Sequence, residues 1–255
     1  EQHAVTFAAG LALQGKRPFC NIYSSFAQRA YDQIIHDVAL QNIPVIFCLD
    51  RAGLVGADGP THHGTFDLAF LNAIPNLTIL SPMDEHELRN MMYWAVEHTE
   101  GPVVIRYPRG RGNKRHYKNE IQALEIGTSR TLSKGKKLVV ISIGQIGTEV
   151  QKAIHSHNLS DDVTHVDARF MKPLDLKKIG ELFRSFDKII TIEESCLLGG
   201  FGQQIKALAL DSQFKGTITS LGLPDTFVEH GTIAELRAKF GLDEEGIGKV
   251  IEGLL

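Results

Sequence analysis

Two layered α/β domains with mainly parallel sheets are the fold this sequence predicts, and three observations carry that expectation. Short apolar runs alternate with helix-length amphipathic stretches along the whole chain, as strands alternate with helices in layered α/β folds. Some of the runs, such as Pro44-Val-Ile-Phe-Cys-Leu-Asp50, are continuously apolar, as a central parallel strand buried on both faces requires. A polar, basic stretch beginning at Arg109 has no apolar period and separates two such series. At 255 residues the chain accommodates two domains of ordinary size.

In order, residues 1–14 are nearly all small or apolar, which suits a helix buried on most sides and closed by Gly15. A strand is expected over Pro18–Tyr23, an amphipathic helix over Phe26–Gln41 and a buried strand over Pro44–Asp50. A glycine-rich loop, Arg51–Gly64, comes next. A short helix, a strand over Leu77–Leu80, a helix over Asp84–Glu97 and a strand over Pro102–Tyr107 complete the first unit. We place the domains at 1–112 and 127–255, with a linker over 113–126. The second unit is expected to contain strands over Lys137–Ile143, Val163–Asp167 and Lys188–Ile192 and a short strand from Ile218. Its helices are expected over Thr148–His157, Leu174–Phe186, Gly202–Leu210 and, closing the chain, Ile233–Phe240.

Composition narrows the function classes. Hydrophobic residues make up 43% and charged residues 22%, the balance of a chain that buries a core. The net charge of −3 provides no positive field for nucleic acid or an anionic membrane, so any anion must be held locally. Apolar stretches reach about seven residues, far short of the roughly 20 that span a bilayer. Cys20, Cys48 and Cys196 lie far apart without metal or redox spacing, which fits a reducing, cytoplasmic setting.

Chemistry concentrates in the loop Arg51–Gly64, which follows a buried strand, the usual ligand position in open α/β sheets. Arg51 can fork onto a phosphate; Asp58 and His62 can hydrogen-bond hydroxyl or carbonyl oxygens, and His62 can also move a proton near neutral pH. Glycines at 53, 56, 59 and 64 allow the tight path that brings these groups together.

The string Ala57-Asp58-Gly59-Pro60-Thr61-His62 resembles the substrate loop of transketolases and of 1-deoxy-D-xylulose-5-phosphate synthases. The longer context, Asp50–Gly64 together with Tyr23–Gln33 and Glu1–Gly10 upstream, resembles the synthases. The likeness continues through Tyr107–Gly110, Val166–Asp175, Thr191–Glu194 with Gly199–Gly202, and Leu221–Gly231. The resemblance implies thiamine diphosphate as cofactor and a condensation of pyruvate with glyceraldehyde 3-phosphate that releases carbon dioxide. This is the entry step of non-mevalonate isoprenoid synthesis, also supplying thiamine and pyridoxal precursors.

It also implies residue roles. Glu1 matches the catalytic glutamate that hydrogen-bonds N1′ of the aminopyrimidine, and Phe26 the aromatic residue that stacks on that ring. Tyr23 matches a residue near the reacting carbon, Arg51 and Arg109 the pair on the substrate phosphate, and Asp58 and His62 the groups on the acceptor's hydroxyl and carbonyl oxygens. By themselves Glu1 reads equally as a solvated chain end, Phe26 as core and Arg109 as a linker charge; His63 stays unassigned. Gly199-Gly-Phe-Gly202 lacks a full dinucleotide pattern and reads as structural, and Glu193 and Glu194 as helix-flanking or interface charges.

No Gly-Asp-Gly run, the start of the family's Mg²⁺ and diphosphate motif, occurs. Metal ligands are therefore expected in none of these residues. Mg²⁺ is expected to be held by an N-terminal thiamine-diphosphate-binding domain absent from this sequence, which opens at Glu1 and looks truncated. The chain alone is expected to be inactive, and the intact enzyme to be a homodimer. Two other readings remain at this level: the β-subunit of a 2-oxo acid dehydrogenase, and a non-catalytic dimerisation module. On the favoured reading Glu1, Phe26, Arg51 and Arg109 should meet at one cleft on the carboxyl edge of the first sheet.

Overall fold

The computed structural model describes residues 1–98, 100–112 and 120–255, so the first half of the expected 113–126 linker lies outside the described residues. The first part runs α1 (Gln2–Leu13), β1 (Phe19–Tyr23), a broken helix including α2 (Tyr31–Gln33), β2 (Ile46–Asp50), α3 (Asp67–Asn72), β3 (Thr78–Leu80), α4 (Glu85–Glu97) and β4 (Val103–Tyr107). The second runs β5 (Arg130–Ser133), β6 (Leu138–Ile143), α5 (Gly147–Ser156), β7 (Val163–Asp167), β8 (Phe170–Lys172) and α6 (Leu176–Ser185). It continues through β9 (Lys188–Cys196), α7 (Phe201–Asp211), β10 (Thr217–Leu223), α8 (Ile233–Lys239) and α9 (Glu244–Leu254).

Two five-stranded sheets form, ordered β1-β2-β4-β3-β8 and β10-β9-β6-β7-β5, parallel except for the edge strands β8 and β5. The α/β class and the mainly parallel sheets agree with the sequence. Strand β2 shows why its run is continuously apolar: Phe47 and Leu49 join the core beneath α1 and the broken helix, while Ile46 and Cys48 join the core beneath α4. All three cysteines are buried, and burial pushes the Cys48 thiol up to about 12, so these thiols act as small hydrophobes.

Five details depart from expectation. Helix α1 is not buried on most sides: Val5, Ala8, Ala9 and Ala12 bury one stripe, while Phe7 and Leu13 are exposed. Residues 24–39 are not a uniform amphipathic helix but a 3-10 segment (Ser24–Ala30), a single α turn and a π segment (Ile34–Ala39). Ala27, Ala30, Ile34 and Val38 still bury one stripe, so the apolar period reports the buried face and not the winding. Strands β5 and β8 are too short for a period to reveal. A further helix, α9, follows α8, its side chain at Asp243 accepting the Gly246 N–H as an N-cap.

Strand β8 comes from the second half of the chain yet pairs with β3, closing the edge of the first sheet. An ion-pair network reinforces this joint. Glu87 of α4, fully buried, accepts from Arg169 Nε at 2.7 Å and lies 3.2 Å from Arg130, whose Nε donates to the buried Asp167 at 2.8 Å. Several charges satisfying one another are what make such burial tolerable.

Inside the second sheet, His165 is fully buried with Nε2 at 2.8 Å from Ser142 Oγ. Burial, with the nearby Arg130 charge adding to it, pushes its pKa from the usual 6.5 down to about 3. The unfolded chain therefore takes up a proton below 6.5 that the folded protein refuses, and stability falls as pH drops from 6.5 towards 3. Lowering the pH from 6.5 to 5.5 should cost about 1 kcal/mol from this residue. Urea unfolding at the two pH values should show that loss, reduced by the same amount in His165→Gln. An unchanged slope in the variant would show that His165 charges in place.

Candidate active site

Strands β1, β2 and β4 end in register, Tyr23 opposite Asp50 and Asp50 opposite Tyr107, so the segments leaving them share one carboxyl edge. The glycine loop emerges there and is closed at its base. Gly53 N–H donates to Gly64 O at 2.7 Å and Gly64 N–H to Gly53 O at 2.9 Å. A side chain at Gly64 would place its Cβ 2.3 Å from Arg51 O and 2.5 Å from Ser24 Oγ, so glycine is required.

Arg51 has φ 63°, unusual for a residue with a side chain. Its guanidinium lies 3.8 Å from the centre of the Tyr23 ring, a cation–π contact, and pairs with Asp50. Tyr23 stacks on Phe26 with ring centres 5.5 Å apart, and Phe26 meets the edge of His62 at 5.2 Å. The other approach to Phe26 is taken by Arg29, 4.6 Å from the ring centre, which is also 4.0 Å from the Glu1 carboxylate. Glu1, Arg29, Phe26, His62, Tyr23 and Arg51 thus form one continuous chain of contacts.

Asp58 and Arg109 form a separate pair at 2.5 Å near the loop's tip, half exposed. Asp58 is therefore engaged by Arg109 and not by His62, whose Nδ1 lies 2.8 Å from Thr61 Oγ1. Both arginines expected to hold phosphate carry an internal carboxylate as partner, which an incoming dianion has to displace.

Beside Phe26 opens a concavity of about 460 Å³ lined by Ser24, Ser25, Phe26, Arg29, the 60–64 return of the loop, Phe66, Asp67, Phe70 and Phe227. It takes in Phe26 and His62, with Glu1 at its margin through Arg29; Tyr23, Arg51, Asp58 and Arg109 are outside its lining. A flat heteroaromatic group with a basic ring nitrogen fits this donor set once Arg29 swings off the Phe26 ring: the aromatic face it uncovers, the Glu1 carboxylate it releases, and the Ser25 hydroxyl, buried without a hydrogen-bond partner among the described residues. Among the described residues no group of three or more His, Cys, Asp or Glu side chains is placed to hold a metal ion.

Several positioning residues escape a reading of the sequence. Arg106 of β4, 5% exposed, donates through Nε to Asp67 at 2.8 Å and reaches Ser81 Oγ at 3.3 Å and Gly64 O at 3.5 Å. Ser24 Oγ donates to the same Asp67 oxygen at 2.9 Å. One buried ion pair therefore ties the ends of β1, β3 and β4 to the base of the loop. A charge inside the run Val103-Val-Ile-Arg106-Tyr107 was the available signal. Arg29 lies three residues after Phe26, a spacing at which side chains meet on a helix.

His63 is structural: buried, its Nδ1 accepts the Val55 N–H at 3.1 Å, so its proton is on Nε2, which donates to Glu229 O at 3.0 Å. The Gly199–Gly202 turn is structural too. Its amides hold a carboxylate of the protein, Glu193, which accepts from Phe201 N–H at 2.9 Å and Gly202 N–H at 2.8 Å at the start of α7. Both glutamates are buried in β9: Glu193 flanks the start of α7 and Glu194 faces the Leu54 amide of the glycine loop, so the expectation of helix-flanking or interface charges holds for position, while their burial was not expected. Burial raises the Glu193 pKa, offset in part by hydrogen bonds from Ser195 and these amides. Among the described residues no helix is long and apolar enough to cross a membrane.

Comparison with known proteins agrees with this architecture. Residues 1–114 match the family "Transketolase, pyrimidine binding domain" and residues 127–247 match "Transketolase, C-terminal domain". A split-gene transketolase solved as an inactive β4 tetramer superposes with a TM-score of 0.85 at 25% identity, over 100% of this chain and 82% of that one. The chain belongs to the transketolase family. Within it, the chain is similar over its whole length to 1-deoxy-D-xylulose-5-phosphate synthases. It is 52% identical to the synthase of Bacteroides thetaiotaomicron, over 98% of this chain and 39% of that protein, and 50% identical to that of Cytophaga hutchinsonii, over 100% and 40%. The chain thus spans about two-fifths of the length of these relatives.

Proposed function

We infer that this chain is the pyrimidine-binding and C-terminal part of a thiamine-diphosphate-dependent 1-deoxy-D-xylulose-5-phosphate synthase. The whole enzyme would join pyruvate to glyceraldehyde 3-phosphate with loss of carbon dioxide, at the start of non-mevalonate isoprenoid synthesis. The observation that carries this reading is the 52% identity across 98% of the chain, at a sheet edge that bears an aromatic, a carboxylate, an imidazole and two arginines.

On this reading Glu1 shares a proton with N1′ of the aminopyrimidine, a task suited to a partly desolvated carboxyl. Phe26 supplies the stacking face, adding about 0.5–1.5 kcal/mol beyond burial. When bound, the thiamine group supplies the electron sink for the carbon that loses carbon dioxide. Tyr23 donates a hydrogen bond near the reacting carbon, and Arg51 and Arg109 hold the acceptor's phosphate. Once Arg109 turns to phosphate, Asp58 is released towards the acceptor hydroxyl, and His62 stabilises or protonates the carbonyl oxygen as the new bond forms. The diphosphate and Mg²⁺ are held by a domain outside this chain, the intact protein is a cytoplasmic homodimer, and the isolated chain turns nothing over.

The assay that tests this pairs the chain with its diphosphate-binding domain and supplies pyruvate with either glyceraldehyde 3-phosphate or lipoamide. A deoxyxylulose phosphate product is expected only in the first. Reaction with lipoamide instead would support the 2-oxo acid dehydrogenase reading, and calorimetry showing micromolar thiamine diphosphate binding to the isolated chain would overturn its dependence on a missing domain.

A further inference from the structure

We propose that Glu194, assisted by His63, is a positioning residue for the loop that carries Arg51, Asp58 and His62, so that the second domain sets the geometry of the acceptor site. Leu54, two residues before the loop's 3-10 turn (Gly56–Asp58), is fully buried within the core of the second domain, among Leu138, Val140, Ile190 and Leu236. Its N–H donates to Glu194 Oε1 at 3.0 Å. The other oxygen, Oε2, accepts from Arg237 Nε at 2.6 Å, and Arg237 is fixed in turn by Glu149 and Gln145, each at 3.2 Å.

The next amide, Val55, donates to His63, which is bonded to Glu229 of the second domain. Two consecutive loop amides are therefore held from the second domain, one directly and one through an imidazole whose tautomer is fixed. The fit is close enough to dictate sequence. Gly53 has φ +76°, and a Cβ there would fall 2.6 Å from Glu194 Oε1; one at Gly56 would fall 3.1 Å from Gly231 O. Arg51, on one side of these anchors, and Asp58 and His62, on the other, inherit their placement from them.

A merely stabilising ion pair and a positioning one predict different results. Glu194→Gln keeps the side chain's size but offers a neutral oxygen, for which the Leu54 and Arg237 donors compete. Amide hydrogen exchange on this chain should show Leu54 exchanging roughly tenfold faster, since a charge-assisted hydrogen bond has become a neutral one. Amides of β1 and β7, away from the substituted strand, should be unchanged. Glu194→Ala should give a larger effect at Leu54 and extend it to Val55; if that variant unfolds, the glutamine variant alone decides.

The activity arm rests on the synthase reading. In the holoenzyme, Glu194→Gln should raise the KM for the phosphorylated acceptor roughly five- to tenfold and leave the KM for pyruvate within twofold. Wild-type exchange at Leu54 in the variant, or a rise in both KM values together, would overturn the proposal. A wild-type holoenzyme that makes no deoxyxylulose phosphate would instead defeat the synthase reading and leave the exchange result to judge the loop anchor.

Discussion

Arg106→Leu is expected to destabilise the protein by about 3–5 kcal/mol, because it strands the Asp67 carboxylate, 1% exposed, without its cation. Leucine fills much of the volume but donates nothing, so among the described residues Ser24 and the Leu68 amide remain as donors to Asp67. Equilibrium urea unfolding measures the loss. Asp67→Leu added to Arg106→Leu should recover a large part of it, since the buried charge then disappears with its partner. A single-variant loss below about 1 kcal/mol would mean that water reaches Asp67 once the guanidinium is gone. The effect should extend to the site, because this pair anchors Ser24 at the head of the 3-10 segment and Gly64 at the base of the loop.

Arg51→Ala should lower kcat/KM for the phosphorylated acceptor roughly 10- to 100-fold in the holoenzyme, the effect of losing charge-assisted hydrogen bonds of about 1.5–3 kcal/mol. Its selectivity is the stronger test. A non-phosphorylated aldehyde should lose little, and the preference for phosphate should shrink by the same factor. Equal losses with both aldehydes would assign Arg51 to general architecture through its contact with the Tyr23 ring. Arg109→Ala should resemble it with one difference: Asp58, no longer paired, should weaken binding of the dianion further by repulsion.

Much of the site is legible in the linear chain because one short loop carries it. Arg51, Asp58 and His62 lie within a dozen or so residues, and any compact path brings them near the end of β2. Their pairing is not legible. That Asp58 turns to Arg109 depends on the register of β2 against β4, which sets Asp50 opposite Tyr107 and so brings the segment after β4 to the loop. Arg29 shows the same limit: its spacing from Phe26 allows a contact on a helix, but only the 3-10 winding shows the guanidinium lying over the ring and reaching Glu1.

The alternation of strands and helices, the continuous burial of β2 and the family strings can all be read along the chain, because each is a local property of neighbouring side chains. What the buried charges do emerges from contacts between segments far apart in the chain. Glu194 meets the Leu54 amide 140 residues away, Arg106 meets Asp67 across a sheet edge, and β8 crosses to the first sheet. A buried charge is stable only beside its partner, and the partner's identity is fixed by how the sheets stack and not by any spacing along the chain.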